Sequence, residues 1–395
     1  MTTVVISPSN VANFPEGGGH LWVYMQYAQG LRRLGCEVYW MEHFRRGDPD
    51  HDAAALATFF ERMARYGLGD NVILYTSHGQ ASDESAGGGY SEHREYIGTT
   101  AAAAEAVFRR ADLLLNFHYE IHPALLALFR RTALVDIDPG LLQFWIGAGQ
   151  LVIPRHDLYL TTGETVGSPA ALFPNCGLSW IHIRPPVCLE LWPTVHDQHG
   201  PAFTTVSNWW GGNGRGSGEW VTDGSGMSYE NSKRASFLEF SELPRFTSQA
   251  LELALCLGPG DEGDRHHLEA LGWRVRHSVE IARTPEMYRS YIQGSRGEFS
   301  CAKPSCMKFQ NAWVSDRTLC YLASGKPVVV QHTGPSSFLP SGDGMFRFST
   351  MPEAVDALAA INADYTRHCR AARDIAEAHF DAAHVLRRVL DSALS

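Results

Sequence analysis

The sequence predicts an α/β chain built from two doubly wound domains, each around a mainly parallel sheet. Three observations carry that reading. The chain opens as strand, glycine-rich loop, helix and strand. Val4 to Ser7 forms the first strand, and Pro8 to Gly19 ends in three glycines. Leu21, Met25, Ala28, Leu31 and Leu34 then recur at helical spacing up to Gly35, and Glu37 to Met41 is the next strand. The same alternation restarts at Phe203 to Val206, after a proline-rich stretch. Finally, 395 residues, 44% hydrophobic and 19% charged, suit two packed cores at one domain per ~100–200 residues.

The elements follow in order. Asn71 to Thr76 reads as a strand, and Ala81 to Tyr90, rich in glycine and serine, as a mobile loop. Thr100 to Arg110 is a helix, Leu113 to Phe117 a strand, His122 to Arg130 a helix, and Ala133 to Ile137 and Leu158 to Thr162 are strands. Pro185, Pro186 and Pro193 place the linker within Ile183 to Thr194. A glycine-rich loop, Asn208 to Gly226, follows the restarted strand. Next come a helix at Ser232 to Phe240, a strand at Leu251 to Leu257, and helices at His266 to Leu271 and Pro285 to Gln293. Ser315 caps a helix over Asp316 to Ser324, Gly325 and Pro327 stop it, and Val328 to Gln331 is a buried strand. Helices over Pro352 to Ala360 and Ala376 to Leu394 complete the chain. The expected division is 1–190, 191–375 and a terminal helix, 376–395, packing back on the first domain.

A formal net charge of -10 argues against a general nucleic-acid binder, which presents a basic face. No apolar run approaches the ~20 residues of a membrane span, and Met1 to Asn10 lacks the pattern of a signal peptide. Eight scattered cysteines without a CxxC pair read as reduced thiols of a cytoplasmic protein, and their spacing offers no support for a zinc site.

Several groups could carry chemistry. Gly17, Gly18 and Gly19 between strand and helix let a ligand approach the backbone, or merely make a tight turn. His20, at that helix start, has the residue type of a general base. Glu298 can accept sugar or ribose hydroxyls, and Lys303 can offset phosphate charge. Ser315, Asp316, Arg317 and Thr318 surround a helix N-terminus able to cradle a diphosphate, although an ordinary cap explains Ser315 equally well. Asp136 and Asp138 end a strand, where open sheets place ligands, and either could orient His20 or hold an acceptor hydroxyl. His156, Asp157 and Glu164 flank a strand near the cleft, and Trp209, Trp210 and Trp220 could stack on a sugar or pack as anchors.

The run Ala323-Ser324-Gly325-Lys326-Pro327-Val328-Val329-Val330, with the Gly19-His20 helix start, resembles the GT-B glycosyltransferases. Ser295 to Lys303, Trp313 to Arg317, Gln331 to Gly334, Pro15 to Gly35 and Asp136 to Gly140 resemble a bacterial group near the family 1 and family 4 types. The resemblance covers most of the chain. It implies a nucleotide-sugar bound by the second domain, with the Ser315 helix on the diphosphate and Glu298, Lys303, Thr333 and Gly334 on the donor side. It implies an acceptor in the first domain and His20 as base. The residues themselves are read as setting Asp138 beside His20, net acidity as favouring a small-molecule acceptor, such as a natural product, and the cationic donors as needing no metal and no cofactor beyond the co-substrate. One departure stands out: retaining members carry two glutamates separated by seven residues, and those positions hold Ala312 and Cys320 here. The alternatives are a nucleotide-sugar epimerase of the same fold and a non-catalytic nucleotide-sugar binder. No nucleic-acid partner or stable membrane insertion is expected, and the chain is read as a monomer or homodimer.

Overall fold

The computed structural model describes residues 1–80, 91–195, 200–210, 219–222 and 228–395. The glycine-serine loop at 81–90 and most of the glycine-rich loop at 208–226 lie outside the described residues. The first sheet holds β1 (Thr3–Ser7), β2 (Glu37–His43), β3 (Val72–Gln80), β4 (Ser91–Ile97), β5 (Leu113–Asn116), β6 (Thr132–Asp136), β7 (Leu158–Thr161) and β8 (Trp180–His182). Their spatial order is β4-β3-β2-β1-β5-β6-β7-β8. Every pairing is parallel except β3 with β4, which adds an antiparallel edge. Strand β1 is buried along its whole length, as a central strand covered on both faces must be.

The second sheet holds β9 (Ala202–Asn208), β12 (Ala250–Cys256), β13 (Arg274–His277), β14 (Gly297–Ser300), β15 (Val328–Gln331) and β16 (Met345–Phe348), in the order β13-β12-β9-β14-β15-β16. All its pairings are parallel. Strands β10 (Trp220–Thr222) and β11 (Ser228–Glu230) form a separate hairpin.

The first domain's helices are α1 (Gly18–Arg33), α2 (Pro49–Arg65), α3 (Ala101–Arg110), α4 (Pro123–Leu126) and α5 (Leu141–Gly147). The second carries α6 (Lys233–Glu239), α7 (Glu262–Ala270), α8 (Ser278–Ala282), α9 (Pro285–Gly294), α10 (Pro304–Phe309), α11 (Asp316–Ala323) and α12 (Met351–Ala363). Two terminal helices follow, α13 (Tyr365–His379) and α14 (Ala382–Leu394). The helix expected over His122 to Arg130 is only the short α4. The single helix expected over Ala376 to Leu394 is two. Asp381 breaks it by accepting a hydrogen bond from the Ala383 amide, and the preceding Phe380 is buried.

Helix α14 packs on the first domain. Gly30 of α1 allows the approach, since a Cβ there would lie 2.4 Å from Leu386 Cδ1. Arg131 also donates to the Ala393 carbonyl at 3.1 Å. The largest apolar core is continuous across both domains, joining Trp22, Trp192, Tyr288, Tyr321 and Leu386. The second domain has a further core around Phe203, Trp273 and Phe299, and the first has one around Ile73, Phe108 and Leu125.

Candidate functional site

The domains meet around a cavity of about 300 Å³. One wall is the start of α1, with Gly17, Gly18, Gly19 and His20. The other joins the end of β9 to the starts of α6 and α11 and includes Lys233, Lys303, Ser315, Asp316 and Arg317.

The α11 wall begins at a strained turn. Gln310 (φ 49°) and Ala312 (φ 56°) occupy the left-handed region, which costs of order 1–3 kcal/mol for each residue. Three contacts hold the turn. Thr165 Oγ1 donates to Gln310 O at 3.2 Å, Asn311 Nδ2 donates to Pro139 O at 2.6 Å, and Ala312 N donates to Thr333 O at 2.9 Å. Gly334 is needed beside it: at φ 135°, a Cβ there would come within 2.4 Å of Gln310 O. Thr333 Oγ1 donates to Trp313 O at 2.6 Å, so Thr333 and Gly334 shape the turn. Together with Thr318, Thr333 borders a separate void of only about 20 Å³ behind α11.

Two expectations about this wall are corrected. Ser315 stands at the N-cap position, but its side chain makes no capping hydrogen bond and borders the cavity instead. Glu298 does not line the cavity. Its side chain is 0% exposed, and Oε1 accepts from Arg317 Nε at 2.8 Å. Arg317 also donates to Val206 O at 2.9 Å and to Ser300 Oγ. Burial opposes its charge, yet Glu298 holds the guanidinium above its ordinary pKa. The pair fixes one positive charge at the cavity wall.

Two lysines complete a cationic group. Lys303 Nζ donates to Glu219 Oε2 at 2.9 Å, and although burial works against its charge, Asp138 and Glu219 keep its pKa raised. Lys233, which the sequence reading passed over, donates to Cys301 O. Burial and the neighbouring Arg317 bring its pKa down to about 8. Its signal was legible: Ser232 caps α6 by accepting from the Ala235 amide, and a lysine follows at the first helical position. Asp316 faces the same cavity, and burial raises its pKa.

Across the cleft, His20 Nε2 lies 2.8 Å from Ser9 O, which makes Nε2 the protonated nitrogen and leaves Nδ1 as the acceptor. Burial lowers the imidazole pKa, partly opposed by that carbonyl. Gly18 and Gly19 serve the domain seam, and Gly17 makes room for a ring of its own domain. A Cβ on Gly18 would sit 2.3 Å from Thr284 O, one on Gly19 2.6 Å from the Tyr288 ring, and one on Gly17 2.3 Å from the Phe14 ring. Trp22 Nε1 donates to Pro285 O at 3.0 Å along the same seam.

Asp138 is not the partner of His20. It receives Tyr119 Oη at 3.4 Å and acts electrostatically on Lys303. Asp136 is wholly internal, accepting from Gln143 Nε2 and Thr161 Oγ1, both at 2.8 Å, and burial pushes its carboxyl up to about 7. His156 bonds Asn116 and Pro154 O, and Asp157 bonds Thr132. Glu164 crosses to the other domain, accepting from the Ser337 amide at 2.8 Å and from the Ser336 hydroxyl. Trp209 and Trp210 are packing anchors tied to Asp264 and Asp261, and Trp220 is exposed.

A second cavity, of about 350 Å³, lies in the first domain at the ends of β1, β2, β3 and β5. His118 in its wall has a pKa lowered to about 4, by burial and then by His43 and Arg45. The unfolded chain, with an ordinary histidine near ~6.5, takes up this proton first. The group's contribution is therefore complete above pH ~6.5 and is lost as pH falls through about 4. The full loss is on the order of 3 kcal/mol. Urea unfolding at pH 7 and pH 4.5 should show a smaller acid loss for His118→Gln than for the parent. Equal losses would remove His118 as the cause.

Two parallel-sheet domains whose strand ends and helix starts face one cleft define the GT-B class of fold. Solved structures of that class match over essentially the whole chain. An alpha-glucosyltransferase in complex with UDP superposes with a TM-score of 0.60 at 9% identity, covering 100% of both chains. HepE of Anabaena in complex with UDP and glucose gives 0.59 at 12%, covering 99% of each. A glycosyltransferase from Rickettsia africae gives 0.54 at 9%, covering 99% of this chain and 97% of that one. At these identities the likeness shows the fold. No protein-family model matches the sequence, and no curated protein does.

Proposed function

We propose that this chain is a glycosyltransferase that moves a sugar from a nucleotide-sugar donor to a small polar acceptor. The observation that carries this reading is the convergence of Lys233, Lys303 and Arg317 on a helix start, facing a histidine across one interdomain cavity. The donor diphosphate lies against Lys233, Lys303 and the open amides of α11, with Arg317 fixed behind them. The acceptor oxygen attacks the anomeric carbon while its proton passes to His20 Nδ1. The bond from that carbon to the diphosphate oxygen breaks, and the nucleoside diphosphate leaves with the electron pair, its charge met by the lysines. Asp316 holds sugar hydroxyls, and Asp138 steadies Lys303 from the acceptor side. These cations supply the neutralising charge, so no step is assigned to a metal. In this reading residues 1–190 hold the acceptor, 191–375 the donor, and 376–395 return to the first domain.

UDP is the first nucleotide to test, because the alpha-glucosyltransferase and HepE structures contain it. The alpha-glucosyltransferase has also been solved with DNA. A net charge of -10 favours a small acceptor here. No helix among the described residues is long and apolar enough to cross a membrane. Eight free cysteines support a cytoplasmic location. Calorimetric titration with UDP, GDP, ADP and dTDP is expected to show binding by at least one. Lys233→Met should weaken it about tenfold or more, the scale of one lost charge-assisted contact. Absence of binding by all four would sink the reading.

A further inference from the structure

The cavity in the first domain says what kind of acceptor the cleft takes. It lies where β1 pairs with β2 on one side and β5 on the other, the place at which the strand order reverses and open sheets bind ligands. It also adjoins the proposed base. Ser9 lines it, and the Ser9 carbonyl is the acceptor for His20 Nε2–H.

Its lining is mainly polar. Among the described residues, each one that lines it, apart from Pro8, brings a hydrogen-bonding side chain. The charges are one of each sign. Arg45 is exposed, and its guanidinium is held by Asn10 Oδ1, with no carboxylate partner among the described residues. Glu120 is exposed as well, and among the described residues no ion pair engages it. The rings of His43 and His118 stack 6.2 Å apart at an interplanar angle of 8°. Burial keeps His118 neutral near pH 7, so it presents one donor and one acceptor. His43 Nε2 lies 3.0 Å from Ser77 Oγ within the same wall.

We infer that the acceptor presents a hydroxyl-rich carbohydrate or polyol unit to this cavity, held between Arg45 and Glu120. The inference rests on the transferase reading above. Hydroxyls both donate and accept, which is what opposed charges and the neutral His118 imidazole require of a ligand. An aromatic or lipid acceptor would take the exposed charges of Arg45 and Glu120 out of water and offer them no hydrogen bonds, at a cost of kilocalories per group. A polyanion would meet Glu120 as well as Arg45. The volume, about 350 Å³, is near the lower end of ligand pockets and suits a compact unit.

The test separates this inference from the transferase reading by measuring acceptor binding without donor. Saturation-transfer NMR on the full chain would use methyl glucoside, cellobiose and myo-inositol against 4-methylumbelliferone and decanol. Signals are expected from at least one of the hydroxyl-rich probes and from neither apolar one. Arg45→Met and Glu120→Gln should each weaken that binding at least tenfold. Both side chains are exposed, so the fold is not at risk, and an unchanged affinity for UDP checks this. UDP binding with no hydroxyl-rich probe bound, equal binding of an apolar probe, or sugar binding indifferent to both substitutions overturns the inference and leaves the transferase reading standing. Sugar binding that depends on Arg45 and Glu120 in a chain that binds no nucleotide sinks the transferase reading instead.

Discussion

Replacing Arg317 with methionine is expected to lower folding stability by about 3–5 kcal/mol, measured by urea unfolding at pH 7. The reason is what stays behind. Glu298 is 0% exposed, its Oε2 already has no partner among the described residues, and its Oε1 would lose the guanidinium. Ser300 Oγ and Val206 O would lose a donor as well. The double replacement Glu298→Leu with Arg317→Met should recover most of the loss, because it removes both buried charges together. A single variant within 1 kcal/mol of the parent, or a double variant no better than the single, would show that the pair does not hold this wall. Any fall in UDP affinity for Arg317→Met therefore mixes binding with folding, and Lys233→Met is the cleaner probe of the diphosphate site.

The second large effect concerns the reaction. His20→Ala should slow transfer by about 10²–10⁴-fold, the usual contribution of a positioned general base, while UDP affinity stays unchanged. The acid limb of the rate profile supplies a second readout. Burial lowers the His20 pKa, so the imidazole is unprotonated at neutral pH, and the rate should fall only below the ordinary histidine range. That limb should vanish in His20→Ala. Transfer within threefold of the parent would place the base elsewhere.

The fold was largely legible because its strands are short apolar runs between glycines and prolines. Val328 to Gln331 is a strand over the expected residues, and Asp316 to Ser324 was read to within one residue of α11. Helix α2 was passed over, though Ala55, Phe59 and Met63 repeat every fourth residue and Asp48 caps it. Strand β4, an edge rich in charge, offers only a weak alternation. The break at Asp381 is a local capping event within a pattern that stays amphipathic on both sides.

The site was legible where one residue type has few employments. His20, Lys303, Asp316 and Arg317 do border one cavity. Glu298 shows the limit. A carboxylate two residues before the end of a strand can face a ligand or the inside, and only the arrival of Arg317, nineteen positions later, decides which. The glycines show another. Their conformational freedom suggests a ligand, whereas the atoms nearest to Gly18 and Gly19 belong to the second domain. The polar cavity could not be seen at all, because His43, His118 and Glu120 are brought together by strand order alone.

The contact between α14 and α1 bears on how the protein is made. Ala382 leaves the ribosome 200 residues after His182, the end of the first sheet. At ~5–20 residues per second, the nascent first domain waits roughly 10–40 s for its last helix. During that interval the face around Gly30 that receives Leu386 and Ala382 is open to solvent. The first domain is completed only after the second has been synthesised, so a fragment ending near residue 190 would carry an uncovered apolar strip and a tendency to aggregate.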